Sequence, residues 1–308
     1  MYDLITIGSA LIDIFIRSKQ FILRPTSKGT LICQLYGEKI DVDSFLIATG
    51  GGGSNAAVGF ARAGFNVATV TETGKDTLAD LLLSEFHKEC VATNYVAQER
   101  REETGGSVIM LGEDGGRTVM VHRGASSLLD PHDIPMRAVK KADWIHLSSI
   151  AGRLPALRAI AAGLKEGSAS CSWNPGQAEL DLINAGELTA QSLPCQILVM
   201  NAEEWKKMRL KQQAFRAIIP EIVVTEGGKG GKLYLKGERR PQSFESSGIK
   251  SVDVTGAGDS FAVGYITARV KGKQPMVAVE WGKRNAASVI QYLGAKKGLL
   301  TLAELSKP

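Results

Sequence analysis

The chain has 308 residues, 44% hydrophobic, 22% charged and 6% aromatic, which excludes a collagen-like, mucin-like or wholly disordered protein. Its 37 lysines and arginines outnumber 32 acidic residues, giving a net charge of +5, but apart from pairs such as Lys206-Lys207 and Arg239-Arg240 they are dispersed, unlike a nucleic-acid footprint. Cys33, Cys90, Cys171 and Cys195 make no Cys-x-x-Cys pair, the first residues lack a signal-peptide build, and no apolar run reaches the roughly 18 residues of a membrane span, so a cytoplasmic protein without zinc, disulfide or membrane is expected.

Short apolar runs at 4–7, 67–71, 144–147, 169–173, 197–200 and 222–225 read as buried strands. Helical periodicity appears near 53–64, 76–89, 152–164, 177–188, 201–209, 258–271 and 275–293. Such alternation implies a parallel sheet covered on both faces. Residues 13–48 break the pattern with strand-like pieces at 12–16, 30–36 and 39–42. Residues 105–121 read as a hairpin, with strands at 106–111 and 118–122 around Glu113-Asp114-Gly115-Gly116. The two regions are expected to form a small antiparallel sheet beside the main layer. Asp13, Gly74, Ser148, Asn174, Asn201 and Gly227 all fall just past predicted strand ends. In open parallel sheets ligands bind along that edge.

The most informative segment is Asp253-Val254-Thr255-Gly256-Ala257-Gly258-Asp259. Its small residues let backbone N–H groups converge on an anion at a helix start. Asp259 falls in the first helical turn, where the dipole favours its ionised form. That pairing suits phosphoryl transfer: the amides of Gly256, Ala257 and Gly258 would hold charge on the transferred phosphate while Asp259 takes a hydroxyl proton. The segment also reads as a plain turn before a helix.

Gly50-Gly51-Gly52-Gly53-Ser54-Asn55 allows close approach of a ligand to the backbone. It also satisfies Gly-x-Gly-x-x-Ala with Ala56, and Glu72 ends the next strand, a dinucleotide fingerprint in the wrong place for the first strand-turn-helix unit. Asn201 and Glu204 open a helix at a strand end, either as its cap or as groups near a hydrated Mg²⁺. Thr225, Gly227 and Gly230 belong to a glycine-rich segment that is either a hairpin or a nucleotide-facing loop. The sequence contains no Gly-x-x-x-x-Gly-Lys-[Ser/Thr], His-Arg-Asp, Asp-Phe-Gly or Gly-x-Ser-x-Gly, so a phosphoryl-transfer enzyme here needs another nucleotide cradle.

Taken in order, these segments resemble the ribokinase-like (PfkB) carbohydrate kinases, a family of sugar and nucleoside kinases. The resemblance implies a three-layer α/β/α sandwich, a mainly parallel central sheet and a single domain over 1–308, with a small β lid drawn from 13–48 and 105–121. It implies Asp13, Gly51, Gly52 and Asn55 at the acceptor, Asn201 and Glu204 near Mg²⁺, and Thr225, Gly227 and Gly230 at the nucleotide. Asp259 is then the base, and the amides before it form the anion hole. Asn285 is the nearest polar candidate on the adenine side, and Asp253 with Gly294 marks the monovalent-cation (K⁺) site of some relatives. The implied reaction is ATP-dependent phosphorylation of a primary hydroxyl on a small sugar, or on a nucleoside, by a homodimer paired through its lids. Ribose-specific relatives carry an acid where this chain has Ser148-Ser149. The rival classes are a non-catalytic sugar- or nucleotide-binding regulator and a dinucleotide oxidoreductase. Phe15, Phe21, Tyr36 and Phe45 are the lid aromatics available to stack on a nucleoside base.

Overall fold

The computed structural model describes residues 1–113 and 116–307. In chain order, β1 (Leu4–Ile7), β2 (Leu11–Arg17), β3 (Ile22–Thr26), β4 (Gly29–Cys33) and β5 (Ser44–Gly50) precede α1 (Gly52–Arg62). Next come β6 (Val67–Thr73), α2 (Thr77–Lys88), β7 (Ala92–Gln98), β8 (Gly106–Leu111), β9 (Arg117–His122) and α3 (Met136–Lys141). Alternation resumes with β10 (Trp144–Leu147), α4 (Leu154–Glu166), β11 (Ser170–Trp173), α5 (Gln177–Ala185), β12 (Ile197–Asn201), α6 (Ala202–Lys207), α7 (Lys211–Ile218) and β13 (Glu221–Thr225). The chain closes with β14 (Gly231–Leu235), β15 (Gln242–Phe244), α8 (Ala257–Val270), α9 (Pro275–Val289) and α10 (Leu302–Leu305).

The large sheet has the order β15-β14-β13-β12-β11-β10-β1-β6-β7. Its strands run parallel from β7 to β13, and β14 and β15 continue it antiparallel. Side-chain alternation divides each parallel strand between two cores. Ile5, Leu198, Met200, Ile222 and Val224 enter one, under α3 to α7, while Leu4, Ile197, Val199 and Val223 enter the other, under α1, α2, α8 and α9. The result is a three-layer α/β/α sandwich. Chain order reverses between β10 and β1, and a crevice at such a switch point is where open sheets bind ligands.

The second sheet has the order β5-β2-β8-β9, and β3 pairs with β4 as a separate hairpin. The small sheet is not wholly antiparallel as expected, because its central pair, β2 with β8, is parallel. The expected strand at 39–42 is also absent: this stretch is a connection held by Ser18 Oγ donating to the Asp41 carbonyl. Asp114 and Gly115 of the expected turn lie outside the described residues.

Register gives the small sheet two faces. Asp13, Ser107, Phe15, Ile109, Leu111 and Arg117 share the first. Phe15, Ile109 and Leu111 pack there with Ala48 and Leu293 into a small core of their own. Ile14, Ile16, Phe45, Ile47, Val108 and Met120 share the opposite face. On it Phe45 is 62%, Ile47 48% and Met120 53% exposed.

Candidate active site

Two helix N-termini meet above the ends of β1 and β10. The turn into α1 passes so close to the strand ends that side chains are barred. Gly51 has φ +92°, and a Cβ there would lie 2.5 Å from the Ser9 carbonyl oxygen. A Cβ on Gly52 would lie 3.0 Å from Ser148 Oγ and 3.6 Å from Asp259 Oδ1. The start of α8 is fixed the same way: Gly256, its N-cap, has φ +73°, and a Cβ there would fall 2.4 Å from the Ala295 Cβ. Glycine is needed there for both dihedral and space.

Asp259 stands in the first turn of α8, half-buried, with Oδ2 accepting a 2.8 Å hydrogen bond from Asn55 Nδ2. Its Oδ1, on the side of Gly52, accepts no hydrogen bond from the described residues. Burial pushes the Asp259 carboxyl above the usual range, while the Asn55 amide and the Lys296 charge pull it back. The helix start therefore does not settle its ionisation alone, as sequence reasoning had it. Asn55 Oδ1 and Ser148 Oγ are buried without a hydrogen-bond partner, and such atoms are costly unless a ligand or water satisfies them. Ser149 is already engaged, donating to Glu179.

Asp13 sits on the inward face of β2, buried, with Ser107 Oγ donating to its Oδ1. Burial raises its pKa, opposed by Ser107 and Lys296 and aided by Asp253 and Asp259. Sequence reasoning missed Lys296. Its buried Nζ donates to Glu85 Oε2 (2.5 Å), Ser54 Oγ (2.6 Å) and Thr49 Oγ1 (2.7 Å), pinning the end of β5 to the start of α1. Burial lowers the Lys296 pKa and Glu85 holds it up. No local pattern announces Lys296, because its partners lie 211 to 247 residues away.

Thr225, Gly227, Gly228 and Gly230 line one wall of a groove of ≈ 350 Å³, and Ala257 and Gly258 line another. The expected nucleotide loop and the expected anion hole thus share one cavity. Lys283, Ala286, Ala287 and Ile290 bring α9 to it. Asn285 does not face the groove. It is fully buried, donating to the Ser260 carbonyl (2.7 Å) and accepting from the Leu300 amide (3.0 Å). Helical periodicity turns 283, 286, 287 and 290 outward and 285 into the core.

Asn201 and Glu204 form a capping box at the start of α6, each side chain accepting the other's backbone N–H at 2.9 Å. Glu204 Oε2 serves that cap, and Oε1 accepts no hydrogen bond from the described residues. Burial raises the Glu204 pKa, and the nearby Asp259 charge adds to the rise. Among the described residues, no group of three or more His, Cys, Asp or Glu side chains is arranged to hold a metal ion. A carboxylate oxygen left unused by the cap, within reach of the Asp259 charge, fits Mg²⁺ held mainly by water and phosphate.

Asp253, the residue expected at a monovalent cation, is already paired with a cation of the chain itself. Its Oδ1 accepts from Thr255 Oγ1 (2.7 Å), Arg117 Nη1 (2.9 Å) and the Thr255 amide (3.0 Å), and its Oδ2 accepts from the Gly294 amide (3.0 Å). Three donors crowd Oδ1, one of them a guanidinium, while Oδ2 takes the single Gly294 amide.

A family model described as pfkB family carbohydrate kinase matches residues 1–302. The chain belongs to that family. Its sequence is 25% identical over 285 residues to a ribokinase of Staphylococcus aureus, covering 88% of this chain and 91% of the relative. The fold matches an Arabidopsis thaliana ribokinase complexed with ribose and ATP at a TM-score of 0.75 and 21% identity, covering 99% and 97% of the two chains. It matches a Methanocaldococcus jannaschii nucleoside kinase at a TM-score of 0.75 and 20% identity, covering 98% and 96%. Members of the pfkB family are phosphotransferases acting on hydroxyl groups, so the dinucleotide reading falls. The glycine run follows β5 of the small sheet, not β1, and Glu72 is buried beside Asp133, its pKa pushed up to about 8 by burial and by that neighbour. Among the described residues, no helix is long and apolar enough to cross a membrane.

The glycine geometry yields a paired prediction. Gly256→Ala should lower the unfolding free energy by about 3 kcal/mol, from the dihedral and the collision with Ala295 together. Gly227→Ala, at φ +58° with open space around it, should cost about 1 kcal/mol. Urea unfolding of both variants checks this, and equal costs would contradict the packing argument.

Proposed function

We propose that this pfkB-family kinase transfers the γ-phosphate of ATP to a primary hydroxyl of a small sugar. The observation that carries the reading is the meeting of Asp259 Oδ1, free of donors among the described residues, with the N-terminus of α8 that lines the glycine-walled groove. An acceptor hydroxyl at Oδ1 gives up its proton to Asp259 as its oxygen bonds the γ-phosphorus and the bond to the ADP oxygen breaks. The amides of Gly256, Ala257 and Gly258 hold the charge on the transferring group. Asp13, Asn55 Oδ1 and Ser148 Oγ receive the other hydroxyls, which satisfies two otherwise unpartnered buried atoms. Thr225, Gly227 and Gly230 line the nucleotide's place. Mg²⁺, when bound, neutralises polyphosphate charge. Asn201 and Glu204 would organise its waters. The small sheet is the lid of a single domain, closing over the acceptor to exclude water as a competing phosphate acceptor.

A nucleoside acceptor is the second reading, since a nucleoside kinase shares the fold. The lid aromatics favour the sugar: Phe15 and Phe21 are buried in packing, Phe45 lies on the outer face, and Tyr36 is fully exposed. Incubating the protein with ATP and ribose, fructose, adenosine, inosine or cytidine tests both readings. A sugar should be consumed with ADP release, and Asp259→Asn should lose at least about a thousandfold in kcat while keeping the fold. ADP release with a nucleoside alone would overturn the sugar assignment. Near-normal turnover of Asp259→Asn would remove that residue from its role.

The electrostatics predict a pH profile. A base must be ionised to act, and burial raises the Asp259 pKa, so kcat/KM should fall with an acid limb above the ordinary carboxylate value of about 4. Asn55→Ala removes the donor that favours the charged form, so the limb should move to still higher pH. A limb that stays in place would show that another group titrates.

The apolar outer face of the lid supports a homodimer paired through Phe45, Ile47 and Met120. Sedimentation should find a dimer that Ile47→Asp splits, and a wild-type monomer would exclude it.

A further inference from the structure

Arg117 opens β9, and its register with Leu111 places it on the inward face of the small sheet. Its Nη1 reaches Asp253 Oδ1 at 2.9 Å and Thr255 Oγ1 at 2.6 Å. Asp253 is buried, whereas the Arg117 side chain keeps 32% exposure. The remaining donors to Asp253 are neutral amide and hydroxyl groups, so Arg117 is the charge that neutralises the buried carboxylate. Asp253 in turn binds the two segments that shape the anion hole. Its oxygens tie Thr255, one residue before Gly256, to Gly294, one residue before the Ala295 against which Gly256 packs. Three donors crowd Oδ1, and the guanidinium of Arg117 takes the place beside it that a free cation would otherwise fill.

We propose that Arg117 is a built-in cation of the phosphoryl-transfer site. The lid delivers it to Asp253, it sets the Gly256, Ala257 and Gly258 amides in place, and it makes turnover independent of added K⁺. It is a positioning residue that acts through Asp253 and Thr255. The lid and the anion hole are thereby one assembly: lifting β9 withdraws the counter-charge of Asp253 as it opens the acceptor pocket. This inference rests on the phosphoryl-transfer reading of residues 256–259.

The test compares wild type, Arg117→Ala and Arg117→Lys in potassium chloride and in tetramethylammonium chloride at equal ionic strength. Melting temperature is read alongside steady-state turnover. Wild type should show the same melting temperature and kcat in both salts. Arg117→Ala should lose about tenfold or more in kcat in tetramethylammonium, with little change in KM for ATP. Potassium or low guanidinium should then raise its melting temperature and restore part of kcat, as ligands of a vacated site do. Arg117→Lys should keep most of the turnover. Should Arg117→Ala fail to fold, Arg117→Gln takes its place in the comparison. Wild type that needs potassium, an alanine variant rescued by neither ion, or one that raises KM for ATP at unchanged kcat would each overturn the proposal. If no form phosphorylates any acceptor, the kinase reading fails, and the melting comparison still decides whether Arg117 fills a cation site.

Discussion

The hydrogen bond from Asn55 Nδ2 to Asp259 Oδ2 joins side chains 204 residues apart, and the rest of the site is arranged so that it can form. It requires α1 and α8 to begin at one point over the ends of β1 and β10. That convergence is possible only where backbone meets backbone. A Cβ on Gly53 would fall 2.6 Å from the Gly8 carbonyl carbon, and one on Gly264 would fall 2.5 Å from the Trp281 carbonyl oxygen. Two helix N-termini aimed at one spot favour negative charge there. The same bond leaves one oxygen of Asp259 free for a hydroxyl.

Charge is distributed with the same economy. The charges of Asp253 and Asp259 raise the cost of ionising Asp13, and that of Asp259 raises the cost of ionising Glu204. Two internal cations offset it. Lys296 enters from the loop after α9 and braces the turn into α1 through Glu85, Thr49 and Ser54, while Arg117 enters from the small sheet and braces the turn into α8 through Asp253. Each half of the site therefore has its own fixed counter-charge.

Much of the large sheet was legible, because strands buried on both faces are continuous apolar runs and the helices between them keep a clear period. β7 and β15 at the sheet edges, and β14 next to β15, were not, since these strands carry mixed, partly exposed residues. The glycine segments and Asp259 could be placed because strand ends, helix starts and small residues coincide in sequence. Asn285 was misplaced because proximity to the cleft in sequence does not say which face of α9 a residue occupies. Arg117 and Lys296 left no local trace: one basic residue among 37 gains meaning only from contacts more than a hundred residues away.

The most direct test of the central claim is a crystal structure with a phosphorylatable acceptor and a non-hydrolysable ATP analogue bound together. The account predicts the acceptor's primary hydroxyl within hydrogen-bond reach of Asp259 Oδ1, about 3 Å, with the terminal phosphate against the Gly256, Ala257 and Gly258 amides. An acceptor hydroxyl bound elsewhere, with the Asp259 carboxylate still held by Asn55 and facing no substrate atom, would contradict it.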